Sequence, residues 1–423
     1  MKETFVLLMK ELGIVILCTI MGVAALAVTY FVPQHRMREN VWKSSIELYK
    51  EGLGSYVWQD IEETQLDIFT DGLIINVSYT ETGDGIRDIL LGTRVKVDQI
   101  NPMESLYEVI ALANDNYYIR NYGRYWHGYQ VLLRPLLCFF TYSDIRQINM
   151  ILQLALVWGL VCLFAQSKDW AFIIPLGGVY VFLSPVSLCS SLQYSPCFYI
   201  MMFMLYALYI WKGKLTDTGK NYLFVLAGVL TAYFDLLTYP FITLGVPLIA
   251  SLAFDIGRWM KEQKNMWKNI LTHTVSWGIG YVGMWSLKWV IASLFTEENI
   301  ILDALHEIIY RSGYFVEDIS YLDTIKVNLS ICNIKVIIPA FLCAAACIVI
   351  FRVRKHIAVD RKLFPIVGSI LFVSLYPFFW YLFTKNHSCG HAYFTWRELG
   401  ISVFGLMTAG VIGIRGFAER TVE

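Results

Sequence analysis

Charge is scarce in this chain: only 16% of its 423 residues are Asp, Glu, Lys or Arg. Leu12 to Val32 contains none of them, and from Ile145 to Ile414 apolar runs of similar length recur between short charged loops. A net field is missing as well, because 34 basic residues balance 34 acidic ones. With no overall charge to attract a polyanion, nucleic-acid binding is excluded as a function class. Paired cysteine spacing is absent. Of the nine cysteines, Cys18, Cys138, Cys162, Cys343 and Cys347 sit in apolar runs as small packing residues, and Cys189, Cys197, Cys332 and Cys389 fall near loops. The chain also lacks a P-loop, a dinucleotide fingerprint and a Gly-x-Ser-x-Gly elbow, which removes the common soluble-enzyme chemistries. It has no internal repeat, low-complexity tract or heptad pattern.

What is abundant is apolar length. Hydrophobic residues make up 57% of the chain and aromatics 15%. A hydrocarbon core of about 30 Å takes about 20 apolar residues to cross as a helix. Ten stretches meet or approach that length: 12–32, 145–166, 169–186, 194–211, 221–235, 238–254, 269–294, 336–352, 364–383 and 399–414. The expectation is therefore an all-α polytopic membrane protein. The first run is too long for a signal-peptide core and leads into Pro33-Gln34-His35-Arg36 instead of a small-residue cleavage site, so it reads as a retained helix. With the N-terminus inside, the loops assigned to the cytoplasm carry sixteen Lys or Arg, while those near 187–193 and 236–237 carry none. Basic residues stay on the cytoplasmic side, so both termini are expected inside. Three parts follow: a cytoplasmic start with the first span (1–32), an extracytoplasmic segment (33–144) and a bundle of about nine helices (145–423). Short interfacial helices are expected in the middle part, with Tyr129–Tyr142 too short to cross. Lys288, alone inside a span, reads as snorkelling toward the outer interface.

Four polar constellations fall on the outer side in this topology. Asp67 and Asp71 are four residues apart and share one face if helical, as a general base and its neighbour would; a helix N-cap or solvated acidic face is the plainer reading. Arg124-Tyr125-Trp126-His127-Gly128-Tyr129 precedes Arg134, and a helix would present Arg124, His127 and Arg134 together. Guanidinium groups beside an imidazole and Tyr125 suit a phosphate, although an aromatic belt with snorkelling cations has the same composition. Asp235, in Phe234-Asp235-Leu236-Leu237-Thr238-Tyr239-Pro240, stands at a membrane boundary either as a functional carboxylate or as a cap. Lys385-Asn386-His387-Ser388-Cys389-Gly390-His391, followed by Arg397, offers two imidazoles at a four-residue spacing. A zinc centre needs at least three compatible ligands, and no acidic partner stands near, so donors to a phosphate or sugar fit better than a metal shell; a structural loop is the plainer alternative.

A short start, a first span, a large outer loop with early carboxylates and a bundle with polar motifs on its outer face together resemble the GT-C superfamily of polytopic glycosyltransferases. The likeness is to bacterial surface-polysaccharide and cell-wall enzymes, and it rests on Thr70-Asp71-Gly72, Arg124 to Gly128, Phe234 to Pro240 and Asn386 to His391. The resemblance implies a sugar donor carried on polyprenyl phosphate, a glycan or lipid-linked acceptor, and a single inverting displacement at the outer face of the cell membrane. It makes Asp71, with Asp67 as second choice, the base. Arg124, Tyr125, His127, Arg134, His387, His391 and Arg397 become binding residues around the departing phosphate, and Asp235 orients sugar or acceptor. No cofactor is implied; a phosphate leaving group makes a divalent ion optional, and none is assigned. A polysaccharide polymerase is the rival enzyme. A transporter or flippase would instead place charges at the midplane of several spans, whereas Leu223 to Thr231, Ile337 to Ile350 and Pro365 to Leu375 hold no ionisable group apart from cysteine thiols.

Overall fold

The computed structural model describes residues 2–262, 265–313, 319–332, Ile338 and 361–418. Among the described residues, helices hold 76%, with one small antiparallel pair of strands, Arg94–Lys96 and Tyr118–Arg120. Four helical stretches among the described residues are long and apolar enough to cross a membrane: Thr4–Thr29, Tyr142–Gln166, Met266–Phe295 and Leu363–Phe383. Trp170–Phe182 and Ile242–Phe254 are apolar but shorter. Helices Ser195–Ile210, Asp217–Phe234 and Gly400–Ala418 fall on three further stretches picked out by hydropathy. The stretch 336–352 lies outside the described residues except for Ile338.

Large side chains on the long helices turn outward. Ile20, Trp158, Leu271 and Val282 are each at least 60% exposed, an arrangement that water penalises and hydrocarbon does not. Lipid gives helices no hydrophobic reason to associate, so close packing at small residues has to hold them. Helices Asp217–Phe234 and Met266–Phe295 meet in this way. A Cβ at Gly280 would lie 2.1 Å from the Val225 carbonyl oxygen, and one at Gly228 would lie 2.2 Å from that of Trp277. Gly280→Ala is therefore expected to destabilise the protein by about 1–3 kcal/mol, read as a lower melting temperature in detergent. Gly278→Ala, with no neighbour within 4 Å, should leave that temperature unchanged.

Segment 33–144 carries short helices. It folds into a unit with its own core, in which helices Gln34–Glu51, Ile68–Tyr79, Pro102–Ile110 and Gln130–Leu137 bury Met37, Val41, Leu48, Ile75, Leu106 and Leu137. Ile68–Tyr79 is apolar nearly all round, with ten of its twelve residues buried, and such a helix needs cover on every side. Lys288 differs from expectation: it is fully buried, and its Nζ donates to the Leu90 carbonyl at 2.5 Å and stands 5.2 Å from the Trp126 ring. Segment 33–144 covers the end of the Met266–Phe295 helix, so this lysine meets protein where snorkelling would take it to water.

Polar groups gather at opposite ends of the bundle. Helix Asp217–Phe234 has 18 residues and is therefore about 27 Å long. Around its start, Arg258 bonds Asp217 at 2.5 and 2.8 Å, Lys220 pairs with Asp255, and Lys212 meets Asp169 at 2.6 Å. Past its end stand Asp235 and His387, and the other candidate groups cluster there.

Candidate functional site

Asp67 is the N-cap of helix Ile68–Tyr79. Its Oδ1 accepts from the Thr70 amide at 3.0 Å, so the capping role is real. Oδ2 receives only a long contact, 3.4 Å from the Tyr393 hydroxyl. Asp71, one turn on, is fully enclosed: Oδ2 accepts from the Tyr142 hydroxyl at 2.5 Å and the Leu192 amide at 3.0 Å, and Oδ1 accepts from the Gln193 amide at 3.1 Å. Asp71 thus caps the Leu192–Tyr194 turn and ties segment 33–144 to the bundle. Both carboxyls are displaced upward by burial, Asp67 to about 6 and Asp71 to about 7, with their hydrogen bonds opposing the shift. Gly72 lets this helix approach its neighbour, since a Cβ there would meet that of Met103 at 2.4 Å.

From Asp67 a run of polar side chains crosses the end of the bundle. Tyr393 leads to His391, whose ring is 6.0 Å away and stacks on Phe394; His387 follows at 4.8 Å. Burial, and then the charge of Arg311, depresses His391 to about 4 and carries His387 well below its ordinary range. Both imidazoles are therefore neutral at physiological pH and act as hydrogen-bonding groups rather than cations. His387 Nε2 lies 2.8 Å from the Leu237 carbonyl. That carbonyl belongs to the tight turn that Asp235 closes by accepting from the Thr238 amide at 3.0 Å. Arg311 bonds Glu307 at 2.7 Å, Glu307 meets Arg124 at 3.3 Å, and Arg124 reaches Asp303 at 3.0 Å. Tyr125 packs edge-on against Trp285 with the Arg311 guanidinium 5.8 Å from its ring.

The expected grouping of Arg124, His127 and Arg134 on one helical face does not occur, because the helix begins only at Gln130. His127 is buried at φ 57, with one ring nitrogen 2.8 Å from the Tyr129 hydroxyl and the other 2.8 Å from the Tyr122 carbonyl. Burial depresses it to about 3. It is a neutral staple of the loop. Arg134 points the other way, with no exposed surface, and bonds the carbonyls of Thr29, Ser78 and Val32 at 3.1, 2.7 and 3.2 Å as well as Glu81. Arg397 is buried too. It donates to Ser187 Oγ at 2.8 Å and lies 4.0 Å over the Tyr194 ring, where its charge favours ionised Asp67.

Residues outside the sequence-derived set also belong to this end. Asp303, Glu307 and Arg311 occupy one face of helix Ile300–Ser312 at four-residue spacing, a pattern readable in the sequence. Arg94 and Arg120 come together only through the strand pairing. Among the described residues, no three His, Cys, Asp or Glu side chains converge as a metal shell requires. No protein-family model, curated protein or solved structure matches this chain.

Proposed function

We propose that this chain is a ten-span, N-in/C-in membrane glycosyltransferase of GT-C type. It would move a sugar from polyprenyl phosphate to a glycan or lipid-linked acceptor at the outer face. One observation carries the reading: Asp67 keeps a nearly unengaged carboxylate oxygen at the head of a run of tyrosine, histidine and arginine drawn from distant parts of the chain. On this reading Asp67 takes the base role ahead of Asp71. Asp67 Oδ2 takes the acceptor hydroxyl's proton as that oxygen attacks the anomeric carbon, while Asp71, held by three donors, fixes the local backbone. His387 and His391 are hydrogen-bond partners for sugar hydroxyls. Arg124, whose Nε has no partner, faces the phosphate that departs with its bonding electrons.

The test is transfer by purified protein in liposomes containing a polyprenyl-phosphate sugar, joined to mass analysis of surface glycans from cells with and without the chain. One sugar added per acceptor supports the reading, a ladder of added units indicates a polymerase, and unchanged glycans in both assays overturn it. The pH profile is a second expectation. A base raised to about 6 loses its proton above that pH, so kcat/KM should fall tenfold per unit below about pH 6 and level off above it.

A further inference from the structure

An open cavity of about 370 Å³ lies between segment 33–144 and residues 298–303, within the usual range for small-ligand clefts of about 300–1,000 Å³. Arg94, Arg120 and Arg124 line it. In the strand pair, Arg94 stands directly opposite Arg120. Side chains so placed are about 4.5–5.5 Å apart at Cβ, and like charges in that position repel. Arg94 is only 8% exposed, and its Nε and Nη1 have no hydrogen-bond partner. An unpaired buried charge costs several kcal/mol, which a fold does not carry without compensation.

The carboxylates of the same cavity do not supply that compensation. Asp303 is taken by Arg124, at 3.0 and 3.2 Å. Glu298 accepts from Asn121 and has Arg87 at 4.0 Å. Among the described residues, neither Arg94 nor Arg120 has a carboxylate within 4.0 Å. Two guanidinium groups carried side by side on paired strands at one cavity, with unused donors on Arg94, suit a tetrahedral oxyanion.

We propose that this cavity binds a phosphate group between Arg94 and Arg120. The assignment is independent of the transfer reading, since it concerns binding alone. Free phosphate and a lipid headgroup bearing a terminal phosphate share the required chemistry.

The test uses full-length protein in phosphatidylcholine nanodiscs. One arm titrates inorganic phosphate, and the other adds phosphatidic acid to the disc, with the melting temperature and the affinity measured in each. Wild type should be stabilised in at least one arm, and the responding arm identifies the source. Arg94→Met should weaken that binding at least tenfold while raising the ligand-free melting temperature, because it removes an uncompensated charge. Arg120→Ala, at an exposed position, should weaken binding without altering the fold, which keeps the test decisive if Arg94→Met fails to fold. No stabilisation of wild type in either arm, or wild-type affinity in Arg120→Ala, overturns the proposal.

Discussion

Asp67→Asn is expected to reduce sugar transfer by about 10²- to 10⁴-fold, the contribution typical of a positioned general base. The substitution isolates that role because asparagine is as good an N-cap as aspartate. Its amide oxygen can still accept from the Thr70 amide, as Asp67 Oδ1 does at 3.0 Å, while the NH2 group faces the Tyr393 hydroxyl in place of Oδ2. Stability should move the opposite way from activity. The folded carboxyl titrates near 6 against an ordinary value of 3.8, so the protonated form is favoured in the fold. Its contribution is fully present below the unfolded value and is lost as pH rises through about 6. The neutral amide escapes that loss, and at pH 7.5 the variant should melt no lower than wild type. Asp71→Asn is the contrast. Its NH2 group must face an amide N–H of Leu192 or Gln193, which costs about 1–3 kcal/mol and lowers the melting temperature. A variant set in which Asp67→Asn keeps full turnover, measured as sugar transferred per mole of folded protein, would remove Asp67 as the base.

The second large effect lies away from the chemistry. Arg134→Met should cost about 3–5 kcal/mol, the range found when one partner of a buried charge network is deleted. Arg134 joins the end of the first span, through Thr29 and Val32, to the last turn of helix Ile68–Tyr79, through Ser78 and on to Glu81. Without the guanidinium, three carbonyls and a carboxylate lose a donor together, and methionine returns none. The expected readout is a large drop in melting temperature and in the yield of monodisperse protein in detergent. Arg124→Ala should leave both nearly unchanged, because its partners Asp303 and Glu307 are partly exposed and Glu307 keeps Arg311. An Arg134→Met protein that melts like wild type would show that the carbonyls find other donors.

Much of the molecule was legible in order of sequence. Long apolar runs became helices because hydrocarbon length and helical rise are local constraints. The capping alternative for Asp67 was legible from residue type alone, whereas Asp235 closes the turn to Thr238 and the next helix has Phe241 at its N-cap. The helical face proposed for Arg124, His127 and Arg134 failed for a local reason too: residues 121–129 turn tightly, with His127 at positive φ, before any helix begins. Lys288 could not be placed, since its partner Leu90 is 198 residues away in the chain. Arg94 went unnoticed although Thr93-Arg94-Val95-Lys96-Val97 alternates as a strand should, because a three-residue strand signals little until its partner is known.

The residue order by itself determined that the chain is helical and apolar enough to enter a membrane, and that its unusual carboxylates, guanidiniums and imidazoles fall between the apolar runs; each of these depends on neighbours a few positions away. Tertiary structure alone decided which of those groups stay free to act. Asp67 rather than Asp71 keeps an oxygen nearly unengaged, Arg134 and His127 are consumed as struts, and Arg94 meets Arg120, because hydrogen-bond donors and acceptors are used up by partners that only the folded chain brings within 3 Å or so.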